Sequence, residues 1–418
     1  MRIAIVGGGI AGLVAASVLS PSHDVALFEA NEWLGGHAHT IDVTVGATSY
    51  AVDTGFVVYQ PETYPGFTAL LDRLGVATQP TEMSFSVRCR ASGLEYGGRS
   101  WLGLFAQPRN LLSPAFHRLL RDVVRFNREA PRLLADAGAD PDLRDVVEAQ
   151  GFSAAFRDQY LVPLTSALWS TPPARALDVP ARHVVRYLLH HGFLRIRGRP
   201  QWRTITGGAR RYVEALSASV RDRVRLRCPV ERVRRDVGFV DVGTRAGTER
   251  FDRVVLATHG SQALRLLADP TPEEREILGA FTEQENDVVV HTDASLLPAS
   301  RRARAAWNVH LDPRLDRAAL TYDMSLLQRL SSSEPICVTL NASTAIAPAK
   351  VLARMVYRHP VFSRAAVAAQ RRHETLNGAN RTHYCGAYWG YGFHEDGVAS
   401  ALRVCRRVDA AAAFARAG

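Results

Sequence analysis

"MRIAIVGGGIAGLVAASVLS", residues 1–20, is the stretch that decides the fold. Residues Arg2–Val6 change from alternating to continuously apolar, which is typical of a buried parallel strand. Residues Ile10–Leu19 are small and apolar and are predicted to form a helix. Three consecutive glycines separate the two elements, although a glycine inside regular structure costs roughly 0.5–1 kcal/mol relative to alanine. These glycines therefore need a physical reason.

The spacing of the glycines supplies that reason, because Gly7, Gly9 and Gly12 fit the pattern G-x-G-x-x-G. Such glycines allow a tight turn, a close approach of the backbone to a pyrophosphate, and close packing of helix on strand. A second strand is predicted over Val25–Phe28, and Glu29 follows it, where a carboxylate accepts hydrogen bonds from an adenosine ribose. A purely structural glycine turn is the alternative, but the combination of strand, helix and acid favours nucleotide binding.

Three later segments favour a flavin cofactor over a nicotinamide cofactor. Gly35 and Gly36, in EANEWLGGHAHT, again suit a backbone set against a phosphate. The triplet Asp53-Thr54-Gly55 stands at the end of a predicted strand. Residues 384–404, YCGAYWGYGFHEDGVASALRV, predict a glycine-rich loop that enters a helix near Asp396, whose start can present N–H groups to a ligand. A simple nicotinamide domain needs neither of the last two features.

Composition limits the class of protein. At 418 residues the chain exceeds what one hydrophobic core usually organises, so two domains are expected. No stretch approaches the ~20 uninterrupted apolar residues of a membrane span, and the start lacks a signal cleavage site, so a cytoplasmic protein is expected. The five cysteines are scattered at no metal or redox spacing, which predicts reduced thiols and no metal. No hydrolase elbow, P-loop or nucleic-acid module is present.

The net charge of +10 comes almost wholly from arginine, and Lys350 is the only lysine. A solvated surface explains this excess, and attraction to acidic ligands or an anionic membrane is the alternative. One predicted helix combines an apolar stripe with a basic one, formed by Phe116, Leu119, Leu120, Val123 and Val124 and by Arg118, Arg121, Arg125 and Arg128. It either packs on its own core with a wet arginine face or contacts a membrane or an acyl carrier. Residues 182–199, RHVVRYLLHHGFLRIRGR, form a second such stretch.

Four motifs carry a family resemblance: GGGIAGL…E…LGG at the start, VDTG at 52–55, VVLATHG at 254–260 and GFHEDGVASA at 392–401. In this order and spacing the chain resembles the FAD-dependent amine oxidase and phytoene desaturase superfamily. More narrowly, RPQWRTITGG, HTDASLLP, AAWNVH, HPVF and GAYWGYGFHEDG resemble bacterial FAD-binding proteins related to the protoporphyrinogen oxidase and desaturase branch. Members of that group are often associated with cyclopropane or other modified fatty acids.

The resemblance implies non-covalent FAD and a set of cofactor-binding positions. Gly7, Gly9 and Gly12 would hold the pyrophosphate, and Glu29 the ribose. The full implied set is Gly7, Gly9, Ile10, Ala11, Gly12, Glu29, Ala30, Gly35, Gly36, His37, Val230, Gly386, Glu395, Asp396, Gly397 and Val398. Two departures stand out. His37 replaces an arginine of some relatives, and Ala387 replaces an acid, whose role would pass to Glu395 or Asp396.

The fold expected from the resemblance is α/β, with a discontinuous Rossmann-like FAD-binding domain and an inserted α+β substrate domain. Because the nucleotide motifs lie at both ends and in the middle, residues 1–76, 200–269 and 371–418 are predicted to form the FAD-binding domain. Residues 77–199 and 270–370 are predicted to form the substrate domain. In the second insertion, NDVVVHT, AALTYDM and PICVTLN predict strands of a flanking sheet, whereas APAKVLARM around Lys350 predicts a loop entering a helix.

The chemistry expected is hydride abstraction from a C–H bond, which strictly requires no general base. Candidate catalytic residues are His37, beside the second glycine pair, Trp389 and Tyr391 in the C-terminal loop, and Trp169 in ALWSTPP. Each is equally a candidate for core packing. Many amine oxidases place a lysine near the flavin, and the scarcity of lysine here favours an apolar substrate, such as an unsaturated or modified fatty acyl chain or a polyene. The product would be a desaturated or double-bond-shifted molecule.

Two other functions stay open at this point. One is a flavin amine or amino-acid oxidase that acts on a small polar substrate. The other is a lipid-binding protein, or a partner in a modification complex, in which the FAD is structural. A small apolar or acyl substrate is the expected partner, no nucleic acid is expected, and the oligomeric state is not determined by the sequence.

Overall fold

The protein is described by a computed structural model, which covers residues 1–135, 138, 140–312, 317 and 319–410. Two sheets organise it. A parallel sheet of five strands has the spatial order Val224–Arg225, Asp24–Phe28, Arg2–Val6, Arg253–Leu256 and Thr382–Tyr384. A mostly antiparallel sheet of seven strands has the order Val351–Val361, Thr282–His291, Cys337–Leu340, Ala319–Asp323, Trp307–Leu311, Phe85–Cys89 and Glu95–Gly97. The predicted α/β class is confirmed.

The opening strand Arg2–Val6 and helix Ile10–Leu19 are present as predicted. Ile3, Ala4 and Ile5 are fully buried in the centre of the parallel sheet, which explains the continuous apolar run. A Cβ atom at Gly12 would overlap the carbonyl oxygen of Gly7. The helix therefore lies on the glycine turn at a distance that only glycine permits.

The C-terminal helix, His394–Val408, packs against helix Ile10–Leu19 on the side away from the parallel sheet. It begins two residues before the predicted start near Asp396, because the Asp396 carboxylate accepts the backbone N–H of Phe393 at 2.9 Å and caps the first turn. A Cβ at Gly397 would lie 2.8 Å from Cγ2 of Ile10, so glycine lets the two helices approach closely. The first and last parts of the chain thus share one core.

Smaller elements surround the parallel sheet. An antiparallel sheet consists of Val230–Arg235, Val240–Thr244 and Gly247–Phe251. Beneath it, the Arg235 guanidinium binds the Glu274 carboxylate through contacts of 2.7 and 2.8 Å, and the Tyr384 hydroxyl donates to the same carboxylate at 2.5 Å. Both charged side chains are 2% exposed, so each depends on the other for compensation of its buried charge.

A hairpin and a short antiparallel sheet lie beside the two large sheets. The hairpin pairs Thr40–Val45 with Thr48–Asp53, and the short sheet contains Val58–Tyr59, Trp202–Ile205 and Thr78–Thr81. Asp53, at the end of the hairpin, is fully enclosed. Its carboxylate accepts hydrogen bonds from the Thr40 hydroxyl at 2.6 Å, the Ala209 backbone N–H at 2.8 Å and the Gln328 amide at 3.1 Å. Three distant segments therefore meet at one carboxylate.

The remaining helices lie mainly between the strands of the seven-stranded sheet in sequence. The helices of the described residues beyond the first and last are Pro65–Arg73, Trp101–Leu104, Pro114–Glu129, Leu143–Ala149, Ala154–Phe156, Val162–Trp169, Ala181–His190, Arg210–Ala218, Gly260–Leu266, Pro272–Gly279, Met324–Leu327, Arg364–Gln370 and His373–Leu376. None of the helices in the described ranges is both long and apolar enough to cross a membrane.

The basic amphipathic helix, Pro114–Glu129, packs its apolar face inward. Phe116, Leu119 and Phe126 are at most 3% exposed, whereas Val124, at the border of the predicted stripe, is 50% exposed. Arg125 lies over the ring of Phe152 at 3.9 Å, so this arginine also contributes packing.

The segment after Lys350 departs from the prediction. Val351–Val361 forms an eleven-residue strand, so the predicted helix is wrong. The strand pairs with Thr282–His291 along its length, and this tertiary pairing outweighs the local helix propensity of the sequence VLARM. Lys350 itself is exposed in the turn before the strand, with its Nζ 4.0 Å from the Glu334 carboxylate. Residues 411–418 of the predicted third flavin segment lie outside the described residues.

The close packing at Gly12 predicts a local sensitivity to a single methyl group. Gly12→Ala should lower the free energy of unfolding by roughly 1–3 kcal/mol, because the new Cβ overlaps a backbone atom that has no room to move. Thermal denaturation of the purified protein measures this loss. Gly238→Ala is the matched control, since a Cβ there meets nothing within 4 Å. Equal thermal midpoints for the two variants would contradict the packing described.

Asp53 predicts a pH dependence of stability. Burial raises the pKa of its carboxyl to about 7. Since the folded protein then holds the proton more tightly than the unfolded chain, this group stabilises the fold at low pH, and that stability is lost as pH rises through about 7. Asp53→Asn removes the dependence. The thermal midpoint of the parent protein, relative to this variant, should therefore fall between about pH 5 and about pH 8.

Asp42, on the same hairpin, provides the control. Its pKa is lowered by the hydrogen bond from Arg210, so it stays ionised over that interval. Asp42→Asn should shift the midpoint by the same amount at both pH values. A constant difference between the parent and Asp53→Asn would show that the Asp53 carboxyl titrates normally.

Candidate functional site

A cavity of about 720 Å³ lies between the parallel sheet and the seven-stranded sheet. One end of it, the glycine end, lies at the carboxyl edge of the parallel sheet, where open α/β sheets bind their ligands. The residues that line this end are Val6, Gly7, Gly9, Ile10, Ala11, Phe28, Glu29, Ala30, Asn31, Gly35, Gly36, Cys228, Pro229 and Val230. The other end, the aromatic end, is lined by side chains of the seven-stranded sheet, the inserted helix Val162–Trp169, the strand Val58–Tyr59 with its preceding residue, and the loop before the C-terminal helix.

The glycine end has the shape and polarity of a phosphate cradle. A Cβ at Gly9 would meet nothing within 4 Å, so the backbone there borders open space. The helix Ile10–Leu19 starts at this point with no side-chain cap and no acid in its first turn. Its N–H groups and its positive dipole end are therefore available to an anion. A Cβ at Gly36 would lie 3.2 Å from the Gly9 Cα atom, so the second glycine pair forms the other wall.

Glu29 borders the cavity and stabilises the glycine turn. Its carboxylate accepts hydrogen bonds from the backbone N–H of Gly8 at 2.6 Å and from the backbone and side chain of Asn31 at 2.8 and 2.9 Å. A Glu at the end of the second strand thus fixes the loop that a dinucleotide would contact. That Glu29 also binds a ribose stays a prediction made from the sequence.

Eleven of the predicted cofactor residues lie together on the cavity wall. They are Gly7, Gly9, Ile10, Ala11, Glu29, Ala30, Gly35, Gly36, His37, Val230 and Gly386. His394, at the start of the C-terminal helix, also lines the cavity and was not predicted. Gly12, Glu395, Asp396, Gly397 and Val398 do not line the cavity. Val398 is fully buried, and both Gly12 and Gly397 serve helix packing.

The two acids of the C-terminal helix are occupied by backbone groups. The Glu395 carboxylate accepts the N–H groups of Gly66 and Phe67 at 3.0 and 2.8 Å, at the start of helix Pro65–Arg73. Burial raises the pKa of Glu395, and it raises the pKa of Asp396 to about 7. These contacts give both acids a structural role in the described protein, and a contact of either with a cofactor stays a prediction.

His37 lies in the middle of the cavity wall among uncharged rings. Its ring centroid is 5.2 Å from those of Tyr357 and His359 and 5.9 Å from that of His259. Its Nε2 atom is buried without a hydrogen-bond partner. Burial lowers the pKa of His37 and His259 to about 4 and that of His359 to about 3, so all three imidazoles are neutral at pH 7.

The VDTG segment positions His37 through its backbone. The N–H of Phe56 donates to the His37 carbonyl at 2.8 Å, and the N–H of Thr54 donates to the His39 carbonyl at 2.9 Å. A Cβ at Gly55 would overlap the His37 carbonyl oxygen, so glycine is required for this approach. The motif thus contributes to the cavity wall indirectly, because it fixes the backbone of His37 and His39, which follow the second glycine pair.

Among the cavity residues that sequence reasoning missed are Tyr357 and His359, which follow a segment, APAKVLARM, whose end was predicted to enter a helix. The Tyr357 hydroxyl bonds to His39 Nδ1 at 2.8 Å and to the Thr54 hydroxyl at 2.5 Å. The Asn286 amide donates to His359 Nδ1 at 2.9 Å, which leaves the proton of the neutral ring on Nε2. Their spacing of two along YRHP was the available signal, since alternate residues of a strand share one face.

The aromatic end contains two of the four candidate catalytic residues. It is lined by Val57, Val58, Ala167, Leu168, Trp169, Trp307, Tyr322, Val356, Phe362, Tyr391 and Phe393. The indole N–H of Trp169 donates to the Tyr391 carbonyl at 3.1 Å, which joins the inserted helix Val162–Trp169 to the C-terminal loop. Trp389 lies outside the cavity lining, with its ring centroid 4.3 Å from that of His373 and 5.0 Å from that of Phe281. It is 5% exposed and packs in the core beside the parallel sheet.

Charged groups are few in the cavity lining, and none of them is among the residues of the aromatic end. Among the described lining residues, Glu29 is the single carboxylate and Arg265 the single cationic side chain, and none is a lysine. The aromatic end therefore presents apolar surface and ring edges with no ionised group. Such a surface receives an apolar molecule without a desolvation penalty for the protein.

Gly9 provides a test of the cradle. Its backbone, at φ −72° and ψ −178°, can accept any L-residue, and the space beyond its Cα is open. Gly9→Leu should leave the thermal midpoint of the flavin-free protein nearly unchanged and weaken FAD binding at least about tenfold, because the leucine fills the phosphate position. The flavin-to-protein absorbance ratio and an FAD titration measure this. Gly238→Leu is the control, and full flavin content in Gly9→Leu would place the cofactor elsewhere.

Comparison with known proteins agrees with this geometry. A model of the flavin containing amine oxidoreductase family matches residues 10–323. Similar solved structures include a putrescine oxidase triple mutant (TM-score 0.71, 17% identity, 98% of each chain covered) and a CLA-producing fatty acid isomerase from P. acnes (TM-score 0.69, 17% identity, 98% of each chain). Cyclohexylamine oxidase from Brevibacterium oxydans IH-35A is another (TM-score 0.71, 16% identity, 98% of this chain and 99% of that one). The family resemblance inferred from the motifs is confirmed: the chain belongs to the flavin-containing amine oxidoreductases and is an FAD-dependent oxidoreductase.

Proposed function

We propose that the protein removes a hydride from a C–H bond of an apolar substrate, an unsaturated or modified fatty acyl chain or a polyene. When bound, FAD supplies the hydride acceptor for such a reaction. Loss of a hydride and a proton from adjacent carbons yields a new double bond. Return of the hydride to a different carbon of the delocalised substrate cation, with no proton lost, yields a shifted double bond and no net oxidation.

Residues 1–76, 200–269 and 371–418 are proposed as the FAD-binding domain. Every strand of the parallel sheet comes from these segments. Gly7, Gly9, Gly35 and Gly36 would hold the phosphates at the open start of helix Ile10–Leu19. Residues 77–199 and 270–370 are proposed as the substrate domain, since all seven strands of the second sheet come from them.

The observation that carries the choice of substrate is the absence of ionised side chains at the aromatic end, among the described lining residues. A protonated amine entering there would lose its hydration with no carboxylate to replace it. The single lysine, Lys350, is exposed beside Glu334 and lies outside the lining, so it does not serve as an amine oxidase lysine. An apolar chain meets neither obstacle.

The side chains act by orientation and exclusion of water. Trp169 and Tyr391, joined by their hydrogen bond, would hold the substrate carbon chain against the ring of the cofactor. His37 and its neighbouring imidazoles are neutral, so they close the centre of the cavity without adding charge. Trp389, which packs in the core, takes no part in this proposal.

Amine oxidation is the second candidate, and the family itself favours it. Putrescine oxidase and cyclohexylamine oxidase, by their names, act on amines. Their likeness to this chain, at 16–17% identity, is a likeness of fold. The cavity wall of this chain is the specific observation that separates the two candidates.

Anaerobic mixing of the FAD-loaded protein with unsaturated fatty acids, polyenes and primary amines tests the proposal. Flavin bleaching by lipids, or formation of a shifted double bond detected by mass spectrometry and ultraviolet absorbance, is expected. Bleaching by amines alone would overturn it in favour of amine oxidation. Bound flavin that responds to neither class would instead indicate a structural cofactor.

A substitution at the cavity wall tests whether the substrate binds in this cavity. Val356 lines the cavity and is 61% exposed, so Val356→Asp should fold normally and place a carboxylate at the wall. The concentration of fatty acid needed for half of the flavin response should rise at least about fivefold, since the new charge repels a carboxylate-bearing chain. Val237→Asp, at a residue 93% exposed and outside the lining, is the control. An unchanged response in Val356→Asp would place the substrate outside this cavity.

A further inference from the structure

Four large apolar side chains stand exposed on two neighbouring turns of the first insertion. Trp101 is 75%, Leu102 65%, Leu111 53% and Leu112 86% exposed, and a hydrogen bond from the Asn110 amide to the Leu104 carbonyl joins the two turns. Single exposed apolar residues are ordinary, but four large ones within twelve residues point to an interaction surface. We name these four residues the apolar rim. The reaction proposed above does not use them.

Hydrogen bonds fix the backbone of the two turns that carry the rim. The Ser100 hydroxyl caps the short helix Trp101–Leu104 by accepting the Gly103 N–H at 3.1 Å. Asn110, which is 2% exposed, donates to the carbonyls of Glu95 and Leu104 at 3.1 and 3.4 Å and so fixes the turn Pro108–Leu112. The exposure of the rim is thus part of the fold.

Arginines surround the rim, and several of them form no ion pair with any described residue. Residues 98–121 contain four arginines and no acid, and of these four Arg99 pairs with the Glu82 carboxylate at 2.7 Å. Arg118 and Arg121, on the helix that follows, are exposed and form no ion pair with any residue that the structure describes. Arg302, whose backbone lies against Gly103, is also exposed, as is Arg301. Elsewhere on this surface arginines are commonly paired, as Arg372 is with two glutamates.

The buried face of helix Pro114–Glu129 excludes one version of a membrane contact. Phe116, Leu119 and Phe126 pack inside the protein, so this helix cannot lay its apolar stripe on a bilayer. Its exposed side carries arginines and the half-exposed Val124, so the main apolar contribution comes from the rim, which precedes its N-terminal end. In a membrane contact, the rim would therefore insert into the bilayer, and the arginines of helix Pro114–Glu129 would lie at its headgroups.

A partner that complements the rim and its arginines is apolar inside and anionic at its boundary. Indole and leucine side chains suit the interfacial layer of a bilayer, and arginines suit anionic headgroups. The rim projects from two short helical turns and does not line the cavity described above, so it suits a deformable apolar surface. We propose that Trp101, Leu102, Leu111 and Leu112 dock the protein on an anionic lipid bilayer. This docking is independent of the proposed reaction.

Flotation of the FAD-loaded protein with vesicles tests the proposal. Recovery should be high with phosphatidylcholine vesicles that contain phosphatidylglycerol, low with phosphatidylcholine alone, and reduced by salt. Trp101→Ser combined with Leu112→Ser, and Arg118→Gln combined with Arg121→Gln, should each reduce recovery at least about fivefold. The matched controls are Val237→Ser and Arg245→Gln, at exposed residues of the three-stranded sheet, and they should float like the parent.

Three results would overturn the proposal. The first is recovery of the parent protein in equal amounts with all vesicles, or recovery with none. The second is flotation of the rim variants to the same extent as the parent. The third is a changed oligomeric state of the rim variants, measured by analytical ultracentrifugation, together with no vesicle binding by the parent, which would assign the rim to contact between copies of this chain. Flavin content and the flavin response to soluble substrate are measured in parallel, so that failure of docking is distinguished from failure of the proposed reaction.

Discussion

The close contact between helix Ile10–Leu19 and the glycine turn is the constraint on which the rest of the molecule depends. Gly12 sits where any side chain would overlap the Gly7 carbonyl, and Gly397 lets the C-terminal helix approach from the other side. The first helix is therefore enclosed between the parallel sheet and the last helix of the described chain. Its N-terminal end remains open to the cavity, so the same packing that stabilises the core also orients the anion-binding groups.

The cavity divides into two regions with different physical roles. The glycine end relies on backbone N–H groups and a helix dipole, and its one carboxylate is used to fix the loop. The aromatic end has rings and aliphatic groups, and the histidines between the two ends are kept neutral by burial. No charged group is among the described residues of the aromatic end, which leaves an apolar environment where a carbon chain would react.

The glycine end was predictable because its determinants are local in sequence. The strand, turn and helix of residues 2–19 follow from hydrophobic period and glycine spacing, and the structure has them at the predicted bounds. The far wall was not predictable in this way. Val351–Val361 carries helix-forming residues at its start and becomes a strand only through its pairing with Thr282–His291, so Tyr357 and His359 reach the cavity by tertiary structure alone. Trp389 and Trp169 show the same limit, since both are aromatic residues near loops and only Trp169 lines the cavity.

The order of the parallel sheet has a consequence for biosynthesis. Its central strand, Arg2–Val6, has as neighbour Arg253–Leu256, and Thr382–Tyr384 then completes that edge. The partner on its other side, Asp24–Phe28, follows soon after it, but a ribosome must deliver more than half of the chain before Arg253–Leu256 can pair. The last helix of the described chain arrives later still, and until then the first strand lacks one neighbour and the first helix lacks its cover. Such distant pairings slow folding and prolong exposure of aggregation-prone segments, so chaperone protection of the nascent chain bears directly on the yield of native enzyme.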